Sequence, residues 1–188
     1  MPVTRWLAWI LAGLILGGIV HLSSVLILPS AAPQDAYSRL LPMTETNKMS
    51  LLPMPTPETA AVPFMDPAFA SAVCRYDLSG GPLKLQAPIS QSYISVSFYS
   101  RQGIAYYAVN DRAAGRRTIE LELMTPQQRG QVPEDEEVTA ADRLIIESPS
   151  PTGLIVLRAL APEPGQLPRM RGLLSAAQCG AAQVAQQK

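Results

Sequence analysis

The residue types with the sharpest chemistry are a single histidine, His21, and two cysteines, Cys74 and Cys179. An imidazole serves as an acid–base group or metal ligand near neutral pH, and a thiolate as a nucleophile or soft ligand. His21, however, sits within the uncharged run Trp6 to Leu28, so the chain beyond that run has no imidazole. Serine–histidine triads, histidine-bearing zinc sites and most general acid–base schemes are excluded there. Cys74 and Cys179 read as a disulfide closing a loop of 105 positions, worth about 4–5 kcal/mol in the chain-entropy picture, the alternative being two unpaired buried thiols. A bridge would also remove thiol catalysis. No phosphate-binding loop or dinucleotide glycine fingerprint is present: Gly17-Gly18 falls in the uncharged run, and Gly80-Gly81 opens no helix. The expectation is therefore no catalytic residue, no cofactor and no metal.

What remains is a carboxylate pair, as in glycoside hydrolysis, or a passive surface. The candidates are Asp77 and the run Glu134, Asp135, Glu136 and Glu137. A run of that kind reads first as a solvated loop, and it lacks the ligand spacing of an EF-hand. Arg112, Arg116 and Arg117 flank a turn and also read as solvated. Tyr93, Tyr99, Tyr106 and Tyr107 offer an aromatic surface for a sugar or a partner, or else core packing. Asp77, Tyr93 and Tyr99 make up the candidate ligand surface.

Trp6 to Leu28 must be placed before any of these. A helix over that run is about 34 Å long, enough to cross a hydrocarbon core of about 30 Å. The competing reading is a cleaved signal peptide, since Arg5 precedes the run and Ser30, Ala31 and Ala32 follow it. A retained anchor is favoured because the run exceeds a signal core of about 7–15 residues and Pro33 follows the small-residue site. Arg5 on one side, with Trp6 and Trp9 at that interface, places Met1 in the cytoplasm and residues 30–188 in a bacterial periplasm. Gly13, Gly17, His21 and Ser24 share one helix face, a pattern for lateral helix pairing, with headgroup contact or axial haem ligation by His21 as alternatives.

With 15 basic and 15 acidic residues in 188, no net field favours nucleic acid, and no such partner is expected. The chain divides into an anchor (1–29), a proline-rich stalk (30–67), a β-domain (68–180) and a tail (181–188). Eight prolines punctuate 29–67, among apolar Leu40, Leu41, Met43, Met49, Leu51, Leu52, Met54, Phe64 and Met65. Such residues need cover, from the chain's own domain or from a second protein. Asp66-Pro67 reads as a helix start, with a short helix to Ala72.

From Cys74 the period becomes two: CRYDL, LKLQA, SYISVSFYS and TIELELM alternate, IAYYAVN and RLIIE are further short runs set off by turns, and GLIVLRAL, apolar on both faces, reads as a central strand. Met170, Leu173, Leu174 and Ala177 return to helical spacing over 168–178. The fold class is mainly β: one transmembrane helix, then an antiparallel sandwich or open barrel with a short C-terminal helix.

The GGIVH-bearing span, the proline-rich stalk, DPAFASAVCRYDLSGGPLKLQAP and SYISVSFYSRQGIAYYAVNDRA together resemble the short membrane-anchored bacterial members of the Domain of Unknown Function 1254 family. The resemblance spans roughly residues 10 to 180. It implies a β-rich domain and association with a second domain, of the family numbered 1214, which longer relatives carry in the same chain. Here the first domain stands alone behind an anchor, so a site formed between the two would be incomplete. No catalytic residue is carried over. The expected function is a non-enzymatic interaction or assembly module of the cell envelope, the second reading being an envelope-polymer binding module or carboxylate-based hydrolase.

Overall fold

A computed structural model describes residues 2–31, 35–56, 58–114, 118–131 and 144–182. The chain divides into two units, Met1–Asp35 and Ala36–Lys188. The first is a single helix, α1 (Pro2–Ala31), whose stretch Val3–Leu28 is long and apolar enough to cross a membrane. Its apolar side chains, Trp6 and Trp9 among them, are exposed, an arrangement that a bilayer would cover and water would penalise.

The second unit begins with α2 (Ala36–Leu40), a 3-10 turn (Leu41–Met43), β1 (Met49–Leu51), β2 (Phe69–Asp77), β3 (Leu83–Pro88), β4 (Ile94–Ser100) and β5 (Ala105–Asn110). It continues with α3 (Asp111–Ala114), β6 (Thr118–Met124), α4 (Pro126–Arg129), β7 (Leu144–Glu147), β8 (Thr152–Leu160), a 3-10 turn (Pro164–Gln166), α5 (Leu167–Ser175) and β9 (Gln178–Ala181). The strands form two sheets, β1-β2-β8-β4-β5 and β7-β6-β3-β9. Sheet one is antiparallel throughout; sheet two is mixed, because β7 runs parallel to β6.

Period-two alternation explains the layers. Leu83, Leu85, Ala87, Ile94, Val96, Phe98, Ile119, Leu121 and Leu123 are all buried in one cluster, while the residues between them face outward. The Cys74–Cys179 disulfide is formed and ties β2 in sheet one to β9 in sheet two, with Cα atoms 6.4 Å apart. Met170 and Leu174 of α5 join the same cluster, so the helix closes the sandwich as its spacing requires. β8 is the central strand: it pairs with β2 over all nine of its residues and with β4 over seven. Its inner face carries Ile155, Leu157 and Ala159, and its outer face Leu154 and Val156, so both faces are apolar.

Two local expectations, the helix to Ala72 and the extent of the last helix, differ from the structure, and two connections take a definite form. Residues 69–72 form the start of β2 rather than a helix, because pairing with β8 begins at Phe69; Asp66 instead accepts from the Ala68 amide (2.9 Å) in a turn. Of the hairpin or arch that Ser148-Pro-Ser-Pro-Thr allows between β7 and β8, the structure has the arch, because the two strands lie in different sheets. The last helix ends at Ser175, and Cys179 and Gly180 belong to β9, which pairs with β3. The proline-rich stretch contributes α2 and β1 to the second unit, and β1 pairs with β2.

Candidate functional site

The outer face of sheet one is where the proline-rich stretch finds its cover. Tyr37, Leu40, Leu52 and Ala61 are buried there against Val73 of β2 and Leu154 of β8, with Tyr99 and Val156 packed alongside. Leu52 hydrogen-bonds into the sheet through its amide (Ser71 O, 2.9 Å), and its carbonyl accepts from Arg171 of α5 (2.8 Å). Residues 36–66 thus lie as a strap across their own sheet. The strap leaves a cleft of about 270 Å³ lined by Leu40, Leu52, Phe64, Tyr99, Val156 and Arg158, among others. Phe64 is fully exposed, with φ at +60°, a left-handed backbone that costs a bulky L-residue about 1–2 kcal/mol. Two guanidinium groups are stacked on rings of this side, Arg101 4.0 Å from the Tyr37 centroid and Arg158 4.3 Å from that of Phe69.

A second concavity, about 540 Å³, lies on the outer face of sheet two and is lined by Lys84, Gln86, Glu120, Glu122 and Gln178, among others. Glu120 accepts from Gln86 at 3.5 Å and pairs with Lys84 at 3.8 Å. Glu120 and Glu122 are alternate residues of one strand, roughly 7 Å apart along it. That is a carboxylate spacing known in hydrolases, but no tyrosine lines this groove.

The residues singled out from sequence do not converge. Asp77 ends β2 as a turn residue: its carboxylate accepts from the Ser79 amide (2.9 Å), and its backbone is bracketed by Asn47, which accepts from its N–H (2.8 Å) and donates to its carbonyl (3.0 Å). The hydrogen bonds from Ser79, side chain first and then backbone, hold this carboxyl below its usual range. Tyr99 faces the strap, whereas Tyr93 precedes the opposite end of β4, roughly 20 Å away along the strand. Arg112 is exposed; Arg116, Arg117, Glu134, Asp135, Glu136 and Glu137 lie outside the described residues. In α1, no atom lies within 4 Å of a Cβ built at Gly13 or Gly17, and Ser24 donates to the Val20 carbonyl (2.8 Å), so the stripe with His21 is open to a neighbour.

Two features escaped sequence reading. Phe98 pairs with Tyr107 while Tyr99 pairs with Ala105, which makes Tyr106 an extra residue in β5. This bulge turns both tyrosines toward Phe98, with ring centroids 6.2 and 6.0 Å away. The Tyr106 hydroxyl meets that of Tyr76 (3.2 Å), which in turn meets Ser148 (2.9 Å). Burial pushes the Tyr106 phenol well above its usual range. The second is the outer edge of β5, which pairs with no other strand among the described residues and carries exposed Ala105, Tyr107 and Ala108 beside exposed Ile104. Its signal in the sequence was the absence of charge and proline from AYYAV, since natural edges are ordinarily protected by both.

Residues 46–180 match the family model described as protein of unknown function (DUF1254). The chain belongs to this family. The match opens at Thr46, which bridges to Arg75, and closes at Gly180 in β9, so the DUF1254 domain includes β1, most of the strap and the disulfide. Among solved structures, the chain is similar to the VPA0106 protein from Vibrio parahaemolyticus: 12% identity, TM-score 0.56, covering 78% of this chain and 34% of that one. It also matches an uncharacterized protein from Burkholderia cenocepacia at 11% identity and TM-score 0.43, covering 62% of this chain and 32% of the other. The first likeness shows the fold alone. This DUF1254 chain spans about a third of the length of the solved structures it matches. No curated protein matches it.

Proposed function

We propose that this DUF1254 chain is a single-pass inner-membrane protein whose periplasmic β-domain acts as an interaction or assembly module of the cell envelope, and not as an enzyme. The observation that carries this reading is the β5 edge: five uncharged residues, Ala105 to Val109, at an edge that pairs with no other strand among the described residues, with Ala105, Tyr107 and Ala108 exposed beside exposed Ile104. An edge of this kind is a template for an added strand, because its outward backbone groups have no partner strand among the described residues and Ala105, Tyr107 and Ala108 are exposed. The remaining sheet edges are three or four residues long. The occupant we assign is a separately encoded protein of the family numbered 1214, in keeping with the resemblance and with the greater length of the solved relatives. The Gly13, Gly17, His21 and Ser24 face supplies a second contact, between helices within the bilayer.

The reading is tested by co-expressing the full chain with such a protein and purifying from gently solubilised membranes. Co-purification is expected for the wild type and is expected to be lost with Ile104→Lys or Ala108→Lys, which place a charge at exposed positions of the edge without entering the core. A wild-type chain recovered alone, or equal recovery with the lysine variants, would contradict it. The carboxylate-hydrolase alternative is disfavoured because Glu120 and Glu122 line a groove on sheet two, while Tyr99 and Asp77 belong to sheet one.

A further inference from the structure

On the outer face of sheet one, Arg158 of β8 stands in register between Ser71 of β2 and Ser95 of β4, with opposed Cα atoms about 5 Å apart. Its guanidinium is stacked on the Phe69 ring, 4.3 Å from the centroid, and among the described residues it makes neither an ion pair nor a hydrogen bond. Stacking fixes the guanidinium plane and leaves its N–H edge available, and that edge matches a carboxylate. Ser71 beside it is buried, at 9% exposure, and its hydroxyl also has no hydrogen-bond partner among the described residues. Both side chains line the cleft under the strap. A buried hydroxyl next to a half-buried cation carries a desolvation cost that an anionic acceptor would offset.

Most of the cleft is apolar, with Leu40 and Leu52 of the strap facing Val73, Leu154 and Val156 of the sheet. The other charged side chain in its lining, Asp66, is exposed, accepts from the Ala68 amide (2.9 Å) and makes no ion pair with Arg158. Water and salt screen that exposed carboxylate far more than they screen the half-buried Arg158. An apolar cavity of about 150 Å³ accepts a benzene, so about 270 Å³ accommodates roughly ten carbon atoms.

We propose that this cleft binds a single medium-length acyl chain ending in a carboxylate, the chain against Val73, Leu154 and Val156 and the carboxylate on Arg158 and Ser71. The site lies wholly within the second unit, so it depends neither on α1 nor on an occupant of the β5 edge.

The probe is decanoic acid with a diazirine at its far end, irradiated with the full chain in phosphatidylcholine nanodiscs, and the adducts are mapped by mass spectrometry. Adducts are expected on the strap and on β2 or β8 within the cleft. Unlabelled decanoate is expected to displace them at a free concentration about tenfold lower than decanol, which has the same chain without the charge. Arg158→Gln is expected to lower their yield about tenfold. Adducts confined to α1 would mean partition into the bilayer and overturn the site. Equal displacement by decanoate and decanol at matched free concentrations, or an undiminished yield in Arg158→Gln, overturns the recognition of a carboxylate. The decanol comparison uses the unmutated chain, so it decides the matter even if Arg158→Gln fails to fold.

Discussion

A methyl group added at Gly153 would meet the backbone carbonyl of Tyr99 and the phenol of Tyr76, both too close for a real Cβ. Tyr76 is fully buried, and its hydroxyl meets Ser148, Tyr106 and the Tyr99 carbonyl, so it has no room to yield. Gly153→Ala is therefore expected to destabilise the domain by about 2–3 kcal/mol, lowering Tm by about 5–10 °C in calorimetry. Tyr106 belongs to the same hydroxyl cluster. Its phenol is pushed up in the folded state, mainly by burial, so its stabilising share is complete below the unfolded value of about 10 and declines as pH rises beyond it. Chemical denaturation between pH 8 and 11 is predicted to show a loss of stability at the alkaline end, and Tyr106→Phe to reduce that loss. None of this was legible in the sequence. Strict alternation puts Tyr106 and Tyr107 on opposite faces, and only the extra residue in β5 brings both toward Phe98.

Among the elements, β4, β6 and β8 were readable because each carries its instruction locally: alternating residues for a strand with one covered face, and an apolar run for one covered on both. The second cover of β8 was harder to see. It comes from a stretch whose prolines rule out long elements but not a short helix, a three-residue strand and an extended strap. The helix start at Asp66-Pro67 failed for a related reason: nine paired residues of β2 outweigh one cap. If the strap is integral to the fold, Leu52→Ala should cost about 2–4 kcal/mol, as for any buried leucine, whereas Met43→Ala, on an exposed residue of the same stretch, should fall within about 0.5 kcal/mol. Equal small effects in urea unfolding would mean that the strap is dispensable. The disulfide joins the two sheets, and Cys74→Ala/Cys179→Ala is expected to lower stability by about 4 kcal/mol with the fold retained.

At the scale of the whole molecule, an apolar helix and a two-sheet DUF1254 domain share one chain, and among the described residues the long edge strand without a further strand beside it is β5. The candidate ligand surface of Asp77, Tyr93 and Tyr99 was unreadable as a site because sequence spacing gives a residue's face but not which end of which sheet it occupies. Asp77 serves a turn, and the two tyrosines lie at opposite ends of β4. The β5 edge was visible only as a lack of charge, and it became a candidate interface once the strand order placed it outermost. The central claim is that this edge receives a partner. It is tested most directly by placing a photoreactive phenylalanine at position 104, 107 or 84 of the full chain, co-expressed in membranes with a protein of the family numbered 1214. The account predicts adducts of the combined mass from 104 and 107 and none from 84, on the outer face of sheet two. Adducts from 84 alone, or from none of the three, would contradict it.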